Sequence, residues 1–174
     1  MDASKYISTE NILQDFAGAT QTKTAPSNGS VTAFYVGDVL VSNIRPYLKK
    51  IWVAEFDGGA SNDVVVIRSN KGVDKNFLAY NLKNDVFIDY VMASAKGVKM
   101  PRGDIALMKQ YPILVPMKLE EQQKIANCLS SLDELITAQS QKIEALKLHK
   151  KGLMQGLFPS VGGVAGGTPD GVVA

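Results

Sequence analysis

Residues 119–158 read LEEQQKIANCLSSLDELITAQSQKIEALKLHKKGLMQGLF, and the spacing of their apolar residues decides the fold. Ile125, Leu129, Leu132, Ile136, Gln139, Ile143, Leu146, Lys150, Leu153 and Leu157 follow one another at intervals of four and three without a slip. Eight of these ten positions are apolar, so the pattern describes a narrow coiled-coil seam rather than the broad face of a globular helix. Gln139 and Lys150 interrupt it and are expected to fix register at some cost in stability. Glu120 and Glu121 fall at the positive N-terminal end, and Lys147, Lys150 and Lys151 toward the negative C-terminal end, as the macrodipole favours. Pro159 supplies the stop. The helix should be roughly 60 Å long at 1.5 Å per residue, about twice the width of a domain built from the residues before it. The seam therefore asks for a partner helix of similar length, since folding back along its own domain would cover only part of it.

Upstream of the helix the pattern is mixed. Residues 1–30 are rich in Ser, Thr, Gln and Asn, with turn signals at Pro26 and Asn28-Gly29, and read as irregular apart from a short strand around Tyr6-Ile7. From Val31 the reading is β: an apolar run at residues 39–41, an alternating stretch at 52–56, a turn at Asp57-Gly58-Gly59, and the buried run Val64-Val65-Val66-Ile67. Asp74 is placed to cap a helix over residues 75–82. A second helix follows Asn84, with Phe87, Ile88, Val91, Met92 and Ala95 on one face and Gly97 as its stop. Residues 97–103 (GVKMPRG) cannot be regular, Asp104 caps a short helical turn, and residues 111–115 read as a last strand between Pro112 and Pro116. The fold class is α+β: a mixed globular domain at 1–117, a long helix at 118–158, and a Gly-rich tail at 159–174. The tail's GGVAGG lacks the Lys-Ser/Thr and the strand-to-helix setting of a phosphate loop, so it is expected to be a flexible extension.

Charge narrows the class only a little. Residues 119–158 carry five basic and five acidic side chains, whereas residues 1–118 carry 14 basic against 11 acidic, so the surplus lies in the globular part. There it gathers in two runs: Arg45, Lys49 and Lys50 within residues 42–50, and Lys96, Lys99, Arg102, Lys109 and Lys118 facing Asp104 alone. Two basic runs on one domain suit a phosphate backbone, but charge alone does not separate that from ordinary surface lysines. Cys128 is the only cysteine, which rules out an internal disulfide and a multi-thiolate metal site. The N-terminus does not read as a secretion signal and no apolar run approaches the ~18 residues of a membrane span, so a cytoplasmic, membrane-free setting is expected.

At this point the chain resembles a known family. YISTENIL (6–13), GDVLVSNIRPYLKK (37–50), SAKGVKMPRGDIALMKQYPILVP (94–116), LEEQQKIANCLSSLDELI (119–136) and the helix end through Phe158 are similar to the specificity subunits of type I restriction-modification systems. Pro116 shortly before Glu121-Gln122-Gln123 at the head of a long helix, with Leu157-Phe158-Pro159 at its end, is the most specific part of the match. The resemblance implies a target-recognition domain followed by a conserved helix that pairs as an antiparallel coiled coil. Its implied partners are double-stranded DNA, an adenine-methylating modification subunit that uses S-adenosylmethionine, and a restriction subunit. Family members usually carry two such repeats and this sequence carries one, so it resembles a half-length form. A half-length form most simply pairs with an identical copy. An isologous antiparallel homodimer would place two readers on half-sites one to two DNA turns (of ~34 Å) apart and would demand an interrupted palindrome.

Candidate DNA-binding residues come from the two basic loops. Ser42, Asn43, Arg45, Tyr47, Lys49 and Lys50 lie within nine residues stiffened by Pro46. Arginine can grip guanine in a bidentate pair, asparagine can do the same with adenine, and lysine meets phosphate as a point charge. Lys96, Lys99 and Arg102 lie on a second loop pinned by Pro101. Asn62 is a weaker candidate that reads equally as a turn cap. Trp52 is a stacking candidate whose alternating context favours the core. His149 has no ligand at metal spacing, and Cys128 reads as a small hydrophobe beside the seam. No cofactor is expected. No Asn/Asp-Pro-Pro-Tyr/Phe motif, no glycine-rich S-adenosylmethionine site and no Asp…Glu-x-Lys cluster stands out, so the chain reads as non-catalytic. Two other readings stay open: a coiled-coil adaptor without DNA affinity, and the detached recognition domain of a self-contained methyltransferase, for which so long a seam has no use.

Overall fold

A computed structural model describes residues 3–22 and 30–158, so the tail at 159–174, Pro159 and the turn signals at Pro26 and Asn28-Gly29 lie outside the described residues. Among the described residues six short strands come first: β1 (Tyr6–Ile7), β2 (Thr32–Phe34), β3 (Val39–Ser42), β4 (Ile51–Val53), β5 (Gly58–Ala60) and β6 (Val64–Ile67). The α-helices among the described residues follow them: α1 (Lys75–Leu82), α2 (Asp85–Ala93), α3 (Ile105–Met108) and α4 (Leu119–Leu157). The chain divides into two compact units, Met1–Leu129 and Ser130–Ala174. Among the described residues no helix is long and apolar enough to cross a membrane.

Among its described residues the first unit holds two three-stranded sheets, in the orders β1-β5-β2 and β4-β3-β6. Strand β3 is the pivot: it pairs antiparallel with both β4 and β6, and all four of its residues are buried. A strand covered on both faces reads as a continuous apolar run, which is how residues 39–41 appear in the sequence. Val39 and Val41 join Ile51 beneath the helices, against Leu78, Leu82, Phe87, Ile88 and Val91. Leu40 belongs to the other core, with Ile7, Ile12, Phe34, Trp52 and Val64. Trp52 is buried there, meeting Phe34 edge-on with 6.0 Å between centroids and Phe56 at 5.3 Å.

The helix starts follow their caps. The Asp74 carboxylate accepts from the Asn76 and Phe77 N–H groups at 2.9 Å, Asn84 Oδ1 accepts from Val86 at 2.9 Å, and Asp104 caps α3 through Ala106 and Leu107. Each cap satisfies donors that the helix itself leaves open.

Several boundaries differ from the sequence reading. Asp57-Gly58-Gly59 is not a turn but leads into β5, the central strand of its sheet. A Cβ on Gly58 would stand 2.1 Å from the Lys5 carbonyl, so this glycine permits close backbone approach. Residues 111–115 form no strand. Pro112 and Pro116 have no N–H to give a ladder, and the alternation seen in sequence comes from Tyr111 and Ile113 packing on the helical core while Leu114 is exposed. Strand β4 stops at Val53, where the Ala54 N–H donates to the Asp38 carbonyl at 2.8 Å and the Gly37 N–H donates to Ala54. Helix α2 ends at Ala93, before Ala95 and well before Gly97, as the Ser94 hydroxyl donates to the Val91 carbonyl at 2.9 Å. The last turn of α4 holds no basic residue. Lys147, Lys150 and Lys151 lie further in, where the macrodipole has faded.

Helix α4 is anchored at its first turns by Gln122, which is fully buried. Its Oε1 accepts from the Asp74 N–H at 2.8 Å, and its Nε2 donates to the Gly72 carbonyl at 2.9 Å and the Pro116 carbonyl at 2.8 Å. The second unit is helical through Leu157, and its side chains from Ser131 to Phe158 are exposed.

Candidate nucleic-acid interface

The two basic loops are one structure. The loop after β3 holds a 3-10 turn, Pro46–Leu48, bracketed by two residues in the left-handed region, Arg45 (φ 52°) and Lys49 (φ 52°). Each such non-glycine residue costs about 1–2 kcal/mol, so the surroundings must hold the loop in shape, and strain of this kind gathers at functional positions. The second loop supplies the hold. The Arg45 N–H donates to the Pro101 carbonyl at 2.8 Å, the Gly103 N–H donates to the Asn43 carbonyl at 3.1 Å, and Lys96 and Arg102 exchange two backbone hydrogen bonds of 2.9 Å. Residues 97–103, expected to be irregular, are thus closed at their base by a two-residue ladder. Gly103 is required at the crossing: a Cβ there would stand 2.4 Å from Met108 Cε and 2.7 Å from Val91 Cγ1.

Side-chain placement sorts the ten expected residues. Ser42 and Asn43 are buried. The Ser42 hydroxyl donates to the Ile44 carbonyl at 3.0 Å, and the Asn43 N–H donates to the Asp63 carbonyl at 2.8 Å, so both brace the loop from behind. Lys49 pairs with Asp85 at 2.8 Å, and this hydrogen bond raises its ammonium above the ordinary value. Lys50 donates to the Thr9 carbonyl at 2.8 Å. Tyr47, Asn62, Lys96 and Lys99 are exposed. Arg102 is half-exposed and paired with Asp63, Nη1 to Oδ1, at 3.1 Å. Arg45 is half-buried, and its Nε, like Asn43 Oδ1, is buried with no hydrogen-bond partner. Two unsatisfied polar atoms two residues apart mark the junction of the loops as unusual, because such groups are normally paired. A cleft of about 370 Å³ opens beside them, lined by Thr9, Glu10, Ser42, Arg45, Lys50 and Asp63 among others.

Asp63 carries no functional signal in the sequence. An aspartate in Ser61-Asn62-Asp63 looks like a turn former, and only the pairing of Ser42 with Val64 across β3 and β6 sets it opposite Asn43 and beneath Arg102.

Fold and site together define an α+β domain that presents a braced, partly basic surface and ends in a long heptad helix. The chain belongs to the family of type I restriction modification DNA specificity domains, whose model matches residues 4–148. It is 31% identical over 99 residues to the type I restriction enzyme EcoDI specificity subunit of Escherichia coli, covering 57% of this chain and 22% of that one. It is 35% identical over 99 residues to the MjaVIII specificity subunit of Methanocaldococcus jannaschii, covering 57% of this chain and 23% of that one. The fold matches the crystal structure of the HsdS subunit from Thermoanaerobacter tengcongensis, with a TM-score of 0.64 at 23% identity over 92% of this chain and 44% of the other. A chain from a structural study of complex assembly and conformational transition in the type I R-M system matches with a TM-score of 0.68 at the same identity and coverage. The chain thus spans under a quarter of the length of these two curated relatives and less than half of the solved chains.

Proposed function

We propose that this chain is a non-catalytic DNA reader of a type I restriction-modification system, recognising one half of a bipartite target and directing methyltransferase and restriction subunits to it. The observation that carries this reading is the fusion of the two basic loops into one braced surface on a domain of this family. Arg45 and Arg102, both on backbone held by the opposite loop, are the candidates for base edges. Lys96, Lys99 and Tyr47 are the outward groups for phosphate and sugar. A rigid frame suits sequence reading, since base contacts depend on placement within a fraction of an ångström.

The same reading makes α4 the pairing element. Its eight apolar seam residues, Ile125, Leu129, Leu132, Ile136, Ile143, Leu146, Leu153 and Leu157, are 38–70% exposed, and a row of that length needs cover. A second copy, antiparallel and two-fold related, supplies an identical seam and makes the target a palindrome. The test of DNA reading is selection of bound sequences from a randomised duplex pool by the full chain. The account expects enrichment of a short motif, lost in the Arg45→Ala/Arg102→Ala double variant. A wild-type chain that retains no duplex at moderate salt is instead an adaptor.

A further inference from the structure

Asp63 places a carboxylate on the surface proposed to meet polyanionic DNA, where it repels phosphate. Its presence calls for a compensating role, and the geometry offers one. Arg102 is the residue that both loops hold at once: its backbone pairs with Lys96 on one side and bridges Ile44 on the other. Asp63 is fixed as well, its carbonyl accepting from the Asn43 N–H at 2.8 Å. The contact between their side chains uses one guanidinium nitrogen, Nη1, at 3.1 Å, and leaves the Arg102 side chain 54% exposed. A long side chain that would otherwise sample many rotamers is thereby held at its backbone and at one guanidinium nitrogen, while about half of its surface stays open to a ligand. Exposed ion pairs contribute little to folding, so stability does not explain the arrangement, whereas preorganising a planar fork serves bidentate recognition directly.

We propose that Asp63 is a positioning residue for sequence reading: it holds the Arg102 guanidinium in the orientation that grips a guanine edge, and so sets base choice at the expense of general affinity. The inference rests on the DNA-reading function proposed above. Its signature is a pair of effects of opposite sign. Asp63→Asn keeps the shape and removes the charge, so affinity for random duplex should hold or rise as repulsion of phosphate is relieved. Discrimination at one base pair of the motif should fall roughly tenfold, the scale of one bidentate base contact. A merely structural role would lower binding to every sequence in parallel.

The experiment selects bound sequences from a randomised duplex pool with the full wild-type chain, Asp63→Asn and Arg102→Lys, then measures affinity for the winning duplex and a scrambled one. Arg102→Lys keeps the charge and loses the fork, so it should relax the same base pair, and combining the two changes should add nothing further. A wild-type motif that Asp63→Asn reads unchanged overturns the inference, as does a parallel loss on both duplexes. A wild-type chain that binds without preference overturns the reading function itself, and this inference with it. Should Asp63→Asn fail to fold by circular dichroism, Asp63→Ser takes its place with the same two outcomes: relaxation at the base pair that Arg102→Lys relaxes supports the proposal, and an unaltered motif overturns it.

Discussion

Asp38 is a buried carboxylate held by three hydrogen bonds, and it makes the domain sensitive to acid. It is buried at the start of β3 and receives Arg68 in a bidentate grip, Nε to Oδ1 at 2.8 Å and Nη2 to Oδ2 at 2.6 Å, with the Tyr35 N–H on Oδ2 at 2.8 Å. The guanidinium also lies over the Tyr35 ring, 4.6 Å from its centroid. Burial pushes the Asp38 carboxyl up, but the hydrogen bonds from Arg68 and Tyr35 and the Arg68 charge outweigh it, and the net shift is below the ordinary 3.8. A depressed folded-state value means that the contribution is fully present above the ordinary carboxylate range and is lost as pH falls through the folded value. Asp38→Asn should therefore lower stability by about 1–3 kcal/mol at pH 7, the scale of a charged hydrogen-bond network. Urea titrations should show the gap between variant and wild type closing below pH 4, and a gap that persists unchanged in acid would contradict the pairing. Residue-scale legibility was uneven. Caps such as Asp74 and Asn84 act within three residues and can be read from sequence, whereas Asp38–Arg68 and Asp63–Arg102 join residues far apart in the chain and need the strand register.

Among the elements, the helices with local caps and the strands with continuous apolar or alternating runs are legible in the sequence. Helices α1 and α3 begin at their expected caps, and α4 follows its heptads from Leu119 to Leu157. Strands β3, β4 and β6 show as apolar or alternating runs, whereas β5 and residues 111–115 carry a misleading local signal. Strand β5 begins with two glycines that look like a turn until the Lys5 carbonyl is beside them, and residues 111–115 carry a strand-like alternation without donors for a ladder. Gln122 shows a sequence signature acquiring a physical cause. It lies in the Glu-Gln-Gln run that carried the family resemblance, and it satisfies one N–H and two carbonyls around the start of α4. Gln122→Ala should cost about 2–4 kcal/mol, because several buried polar groups lose their partner together. Thermal melts should also show Gln122→Glu destabilised, since a carboxylate cannot donate to the Gly72 and Pro116 carbonyls. A Gln122→Ala chain as stable as wild type would mean that water replaces those bonds at no cost.

For the whole molecule, the proposed pairing of α4 with a second copy unites reader and target. Changing Ile136 and Leu146 to Asp places charge in the middle of the seam, within the second unit. Light scattering at micromolar concentration should give a dimer for the wild type and a monomer for the variant, with the domain still folded; a monomeric wild type would remove the homodimer from the account. The most direct test of the central claim joins reading and symmetry. This chain is co-expressed with the modification subunit of its own system, and methylated adenines are mapped across the host genome. The account predicts methylation at a single bipartite motif whose two halves are inverted copies, disappearing when Arg45 and Arg102 are both replaced by alanine. Methylation at no defined motif, or a motif that survives that replacement, would contradict it.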